Sequence, residues 1–164
     1  MVRSTFIGML LLVATVAPQN AAAQRRTGST EVSIIARVGT KSYTSRVPGT
    51  CQHEPMASIY DVPAALWMVR ADGSDKSDIK RLSLTLWRPK SGGPDQVSVS
   101  LEAGSRTNRI DVNPRMPPVG AATVQLKPVG PGGKFELRGK DAKGTKVYLM
   151  IGCPTFTGIE AEGG

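Results

Sequence analysis

The chain contains few of the residues that usually build metal centres and hydrolytic sites. Its 164 residues include one histidine, His53, and two cysteines. A protein zinc site usually needs three or four suitably spaced ligands, and a catalytic triad needs an acid that orients the histidine. The chain has no second histidine and no G-x-S-x-G nucleophile motif. We therefore expect a protein that is not an enzyme, with no catalytic residues, no metal site and no cofactor.

Two other functional classes remain as alternatives to a non-enzymatic binding protein. The first is a small periplasmic hydrolase or metal-dependent enzyme that uses His53, with Glu54 or a free Cys51 completing a metal site. The second is a protein inhibitor or adhesin module that presents loops such as Pro114–Gly120 to another protein. Loss of activity in His53→Ala with an intact fold would favour the enzyme.

The chain also lacks an apolar run long enough to cross a membrane as a helix. The run Phe6–Ala17 has 12 residues, whereas a spanning helix needs about 20. It follows Arg3 and precedes the small residues Ala21 to Ala23, an order typical of a cleavable signal peptide. The sequence predicts a signal peptide over residues 1–23, cleaved near Ala23, and a periplasmic or secreted product without a transmembrane anchor.

Acidic residues are scarce relative to basic ones, because 13 Asp and Glu face 21 Lys and Arg and give a formal charge of +8. Removal of Arg3 with the signal peptide leaves +7. Such a charge favours an anionic envelope component as partner, with another envelope protein as the alternative and nucleic acid not favoured. The competing interpretation is that the charge only maintains solubility, since no basic run exceeds two residues.

No stretch of ten or more residues after the signal peptide shows a convincing helical period. The apolar residues recur at every second position, as in half-buried strands, and Gly- and Pro-rich turns separate the runs. We expect an all-β fold, a single antiparallel β-sandwich of about nine short strands, with a barrel-like variant as the alternative. The predicted domain covers residues 31–156, between a flexible basic arm (24–30) and a flexible C-terminal tail (157–164). The runs begin at Val32, Tyr43, Ala65, Leu82, Val97, Ile110, Ala122, Phe135 and Val147.

The two cysteines fit this frame as one structural disulfide. Cys51 follows the second predicted strand and Cys153 ends the last one, so both strands point toward the same end of the molecule. Neighbouring antiparallel strands point in opposite directions. The two strands must therefore lie in facing sheets or be separated by another strand, for which the first strand is the obvious candidate.

Three cations lie at the polar positions of the alternating pattern in the three C-terminal strands, which we call the polar phase. Lys127, Arg138 and Lys146 lie on this phase together with Tyr148. If the strands are neighbours, these four residues form a basic face with an aromatic ring, which suits a polyanion. The sequence therefore predicts an anion-binding face, with an ordinary solvated sheet face as the alternative.

Trp87 lies out of register with the leucines at 82, 84 and 86. The ring is therefore expected either in solvent beside Arg88 or beneath the loop Pro89–Pro94.

The layout of the chain resembles that of the LpqH-type mycobacterial lipoprotein antigens. The segments that carry the resemblance are Val47–Cys51, Gly133–Gly139 and Val147–Cys153. The resemblance implies a β-rich body in which a first hairpin ends in a cysteine and the last strand ends in a second one. It implies no catalytic residues. Those proteins carry a lipidated cysteine after the signal peptide and this chain has none, so membrane anchoring is not carried over.

Overall fold

The computed structural model describes residues 29–59, 61–114 and 116–159, and the predicted signal peptide lies outside them. These residues form nine β-strands and no helix, which confirms the predicted all-β class. No helix in this part of the chain is long and apolar enough to cross a membrane. The strands are β1 (Thr30–Val38), β2 (Lys41–Ile59), β3 (Val62–Asp72), β4 (Ile79–Pro89), β5 (Gln96–Ala103), β6 (Arg106–Val112), β7 (Ala121–Val129), β8 (Gly132–Lys140) and β9 (Lys146–Cys153).

The strands form because apolar and polar residues alternate along them, which places one set on each face of the sheet. In β1, Val32, Ile34 and Ala36 are fully buried, whereas Ser33 and Arg37 are exposed. The same alternation runs through β5 and β9. The inner face of the sheet carries the core, whose largest fully buried side chain is Phe135.

All nine strands belong to one antiparallel sheet with the order β6-β5-β4-β3-β2-β1-β9-β8-β7. The predicted antiparallel topology and strand number are confirmed, and the detail that differs is one continuous, nearly closed sheet instead of two facing ones. Because the strands alternate in direction and their number is odd, the two outer strands β6 and β7 run the same way. They approach each other at a seam, where Asp111 of β6 pairs with Val119 of the segment that leads into β7, through N–H···O bonds of 2.8 and 2.9 Å.

The disulfide joins Cys51 of β2 to Cys153 of β9, with 6.0 Å between the Cα atoms. Strand β1 lies between β2 and β9 in the sheet. Of the two arrangements that the sequence left open, facing sheets or an intervening first strand, the structure has the second. Strand β2 continues past Gly49, where its pairing with β1 ends. The disulfide ties that extension of β2 to the end of β9.

The segment after Cys153 covers the end of the sheet where the disulfide lies. Phe156 packs edge-on against Phe135 and His53, with ring centroids 6.0 and 6.1 Å apart. The predicted tail starts at residue 157, whereas the structure pairs Thr157 with β2 through bonds to Cys51 and His53 of 2.9 and 2.8 Å. This pairing is available because β1 stops pairing at Gly49, which leaves the side of β2 that faces away from β3 open. Residues 160–164 lie outside the described residues.

Candidate functional site

The outer face of β1, β9 and β8 carries a shallow groove of about 750 Å³ that we call the basic groove, defined by Arg37, Arg138, Lys140, Lys146 and Tyr148. Its position follows from the strand register. Tyr148 of β9 lies opposite Arg37 of β1 on one side and Arg138 of β8 on the other. Neighbouring strands lie about 4.8 Å apart, so Tyr148 lies between two arginines in one row of the sheet.

Two lysines form the next row of the basic groove. Lys140 at the end of β8 lies directly opposite Lys146 at the start of β9. Like charges in directly opposed positions destabilise an antiparallel pair. A bound anion would relieve this repulsion. The groove is open at this point because its wall includes Gly39, Gly139 and Ala121, which have little or no side chain.

Arg138 differs from the other cations because it has partners of its own. Its guanidinium lies 5.1 Å from the centroid of the Tyr148 ring and forms an ion pair with Glu136, whose side chain is 25 % exposed. Within the part of the chain that the structure describes, Arg37, Lys140 and Lys146 take part in no ion pair. The basic groove therefore keeps three cations without a neutralising carboxylate.

Of the four residues predicted for the anion-binding face, the structure brings Arg138, Lys146 and Tyr148 together and places Lys127 elsewhere. Lys127 lies opposite Lys134, four residues along β7 from Thr123, the partner of Arg138. At about 3.3 Å per residue this separation is roughly 13 Å. Lys127 shares the outer face but does not line the groove.

Sequence reasoning missed Arg37 and Lys140. The alternation along β1 does place Arg37 on the polar phase, which was the available signal. Its place beside Tyr148 depends on the pairing of β1 with β9, a contact between residues more than a hundred positions apart. Local patterns carry no information about such a contact.

His53 lies on the inner face, where it forms part of a stack of rings. Its imidazole lies parallel to the Trp67 indole, with centroids 4.5 Å apart and an interplanar angle of 4°. Its Nδ1 donates a hydrogen bond of 2.9 Å to the carbonyl oxygen of Leu66. The guanidinium of Arg88 lies 5.7 Å from the Trp67 ring. His53 is thus fixed by packing and by a backbone contact.

Arg88 is fixed in turn by Asp95, with two hydrogen bonds of 2.9 and 2.8 Å. The hydrogen bond to Asp95 raises the pKa of Arg88 above its ordinary value, although partial burial opposes the shift. The adjacent Trp87 is only 8 % exposed. Of the two expectations for Trp87, the structure therefore supports a covered ring.

No metal site is apparent in the described ranges 29–59, 61–114 and 116–159. Within them, no group of three or more His, Cys, Asp and Glu side chains is arranged to hold an ion. Cys51 is also consumed in the disulfide.

Asn108 is a buried polar residue on the inner face of β6. It is 7 % exposed, and its Nδ2 has no hydrogen-bond partner among the described residues. A buried donor without a partner costs about 1–3 kcal/mol. Asn108 also lines two adjoining cavities, of about 670 and 360 Å³, at the end of the sheet opposite the disulfide.

Replacement of this amide by an apolar side chain of similar size is expected to stabilise the fold. For Asn108→Leu we expect the free energy of unfolding to rise by about 1–2 kcal/mol, because the unpaired donor disappears and apolar contacts with Ile110 and Leu101 become available. Urea denaturation at unchanged m-value measures the effect, and Asn108→Asp, which buries a carboxylate, serves as the destabilising control. A Leu variant less stable than the wild type would contradict this account of Asn108.

Comparison of the chain with protein-family models, curated proteins and solved structures finds no significant match. The functional argument therefore depends on the geometry of the chain itself.

Proposed function

We propose that the protein is an exported, non-enzymatic, envelope-associated binding protein that holds an anionic envelope component in the basic groove. The observation that carries the proposal is the arrangement of Arg37, Lys140 and Lys146, three cations without carboxylate partners in the described part of the chain, beside Tyr148. Export is supported by the predicted signal peptide and by the disulfide, since such bonds form and persist in oxidising compartments.

The composition of the groove indicates the chemistry of the ligand. Guanidinium and ammonium groups bind phosphate, sulfate or carboxylate groups, and Arg37 and Arg138 lie two strand spacings apart, about 10 Å. The face of an aromatic ring between them offers an apolar surface to a sugar ring. This combination favours a carbohydrate that carries several anionic groups, such as an acidic polysaccharide or a lipopolysaccharide headgroup.

Charge reversal in the basic groove is expected to weaken binding of such a ligand about tenfold or more. The triple variant Arg37→Glu, Lys140→Glu and Lys146→Glu replaces attraction by repulsion, while all three side chains are exposed and outside the core. Fluorescence polarisation with a labelled acidic polysaccharide, and co-sedimentation with lipopolysaccharide micelles, measure the affinity of each ligand separately. Wild-type affinity should fall steeply as salt rises from about 50 to about 300 mM, because exposed charges are then screened.

A matched variant separates the groove from net charge alone. Lys76→Glu, Lys90→Glu and Lys134→Glu change the formal charge by the same amount at exposed positions outside the groove. This control should retain most of the affinity. Equal losses of affinity in both triple variants would show that binding depends on the net charge of the protein and not on the groove. Unchanged binding in the groove variant would refute the proposal.

A further inference from the structure

A second groove, which we call the β6 edge groove, follows the unpaired side of β6. It has a volume of about 670 Å³ and lies between Ser105–Arg109 on one wall and the β8–β9 turn, Asp141–Thr145, on the other. Strand β6 pairs with β5 along its whole length, but on its other side its only backbone pairing in the described part of the chain is with Val119. The groove therefore exposes the edge of a sheet.

The register identifies the backbone groups that point into this groove. Asp111 exchanges both of its backbone hydrogen bonds with Val119, so its N–H and C=O point away from β5. Backbone groups alternate in direction along an antiparallel strand. Thr107 and Arg109 therefore present their N–H and C=O groups to the same side, and within the described residues these groups have no backbone partner.

The other outer strand is protected in a way that β6 is not. Val129 and Gly132 are the pair that closes the β7–β8 hairpin. Because backbone groups alternate in direction along a strand, the backbone N and C=O of the preceding residue, Pro128, face away from β8. Proline has no N–H and blocks the addition of a further strand. The corresponding side of β6 contains no proline between Arg106 and Val112. The β6 edge is open to pairing, whereas the β7 edge is interrupted.

Asn108 supplies a second observation that points to a ligand. Its side chain is more than nine-tenths buried, its Nδ2 has no partner among the described residues, and it lines the β6 edge groove. A carbonyl oxygen of a molecule in the groove would satisfy this donor. The groove thus offers a buried side-chain donor beside a backbone edge with free donors and acceptors.

We propose that an extended, acidic peptide segment of another protein binds in the β6 edge groove by pairing as an additional strand with Thr107 and Arg109. A peptide backbone supplies both donors and acceptors at a two-residue repeat, which a small anion does not.

The charge of the groove indicates acidic side chains on this peptide. Three cations, Arg106, Arg109 and Lys143, line the groove, whereas it has one carboxylate, Asp141. Asp141 Oδ1 is already occupied by the backbone N–H groups of Lys143 and Thr145. A second copy of this chain would bring the same cations together, so charge disfavours self-pairing.

The test uses a blocked synthetic peptide of about six residues with alternating glutamate and threonine, the length of a typical strand. Isothermal titration calorimetry and amide chemical shifts of Thr107 and Arg109 report its binding. The variant Thr107→Pro removes one edge N–H that no neighbouring strand uses, and we expect roughly a tenfold loss of affinity. Thr107→Ala keeps the N–H and should bind as the wild type does. The same peptide with alternate backbone nitrogens methylated should not bind.

Several outcomes would overturn the proposal. Equal binding of the methylated peptide, or full competition by inorganic phosphate, would identify an anion site without strand addition. Self-association of the protein that Thr107→Pro abolishes would identify a second copy as the occupant. If Thr107→Pro does not fold, Arg106→Gln with Arg109→Gln replaces it, and unchanged peptide affinity in that variant would refute the role of charge. The charge-reversed basic groove variant should bind the peptide normally, so the two proposals fail independently.

Discussion

Removal of the Cys51–Cys153 disulfide by Cys51→Ala and Cys153→Ala is expected to lower the free energy of unfolding by about 2–5 kcal/mol. The bond closes a loop of 102 residues, and such a constraint raises the free energy of the unfolded chain by reducing its entropy. Both cysteines are buried, 2 and 4 % exposed. The disulfide joins the extension of β2 to β9 at the end of the sheet that Phe156 covers.

Urea denaturation of the oxidised, reduced and double-alanine proteins measures this effect. The reduced wild type should unfold close to the alanine variant, because both lack the covalent constraint, and the comparison separates the bond from the change in side-chain volume. Far-ultraviolet circular dichroism should retain a β-type spectrum before the transition. If the oxidised and reduced proteins unfold at the same urea concentration, the disulfide does not stabilise the fold.

The strands and the disulfide could be predicted because they depend on local features of the chain. Alternation of Val32, Ile34 and Ala36 with polar residues assigns each side chain to a face regardless of which strand lies alongside. The glycine and proline clusters mark where strands end. The direction of each strand then follows by counting, which was enough to place Cys51 and Cys153 at the same end of the molecule but left open whether they meet across β1 or between facing sheets.

The basic groove could be predicted only in part, because alternation assigns a face but not a neighbour. Arg138, Lys146 and Tyr148 were found because β8 and β9 are consecutive and pair as a hairpin. Arg37 enters the groove through the pairing of β9 with β1. Lys127 has the correct phase, but the register of β7 places it opposite Lys134 at the far end of that hairpin. Neither the order nor the register of distant strands follows from a local period.

The seam between β6 and β7 was also beyond sequence reasoning. Its backbone pair, Asp111 with Val119, joins β6 to the segment that leads into β7, and that segment shows no strand period from which the pairing could be inferred. The buried amide of Asn108 lies beside this seam, in a strand pattern where an apolar residue would be expected. A polar residue in an apolar phase was the available signal.

The β8–β9 turn separates the basic groove from the β6 edge groove. Lys140 and Lys146 lie at the ends of the flanking strands and line the first, whereas Asp141 to Thr145 line the second. Asp141 Oδ1 accepts hydrogen bonds of 2.9 and 2.8 Å from the backbone of Lys143 and Thr145, which fixes the turn. A change that displaces the backbone at Lys140 should therefore affect both grooves at once.

Gly120→Ala is expected to cause such a displacement and to lower the free energy of unfolding by about 2–5 kcal/mol. Gly120 connects Val119 of the seam to β7 and has φ of +80°, a conformation that costs an alanine about 1–2 kcal/mol. A Cβ at this position would also overlap with the carbonyl oxygen of Lys140 and lie 3.1–3.2 Å from the backbone of Asp141. Overpacking against backbone atoms adds about 1–3 kcal/mol, since they cannot rotate away as a side chain can.

Gly144→Ala is the matched control, because Gly144 has φ of +78° and a Cβ there would meet nothing within 4 Å. The free energy of unfolding of this variant should fall only by the cost of the positive φ, about 1–2 kcal/mol. Urea denaturation gives the difference between the two variants, which isolates the contact with Lys140. In the same samples, the affinities for the acidic polysaccharide and for the acidic peptide should both fall in Gly120→Ala and change little in Gly144→Ala. Equal stabilities of the two variants would contradict the close approach of Gly120 to Lys140, and with it the structural link between the seam and the two grooves.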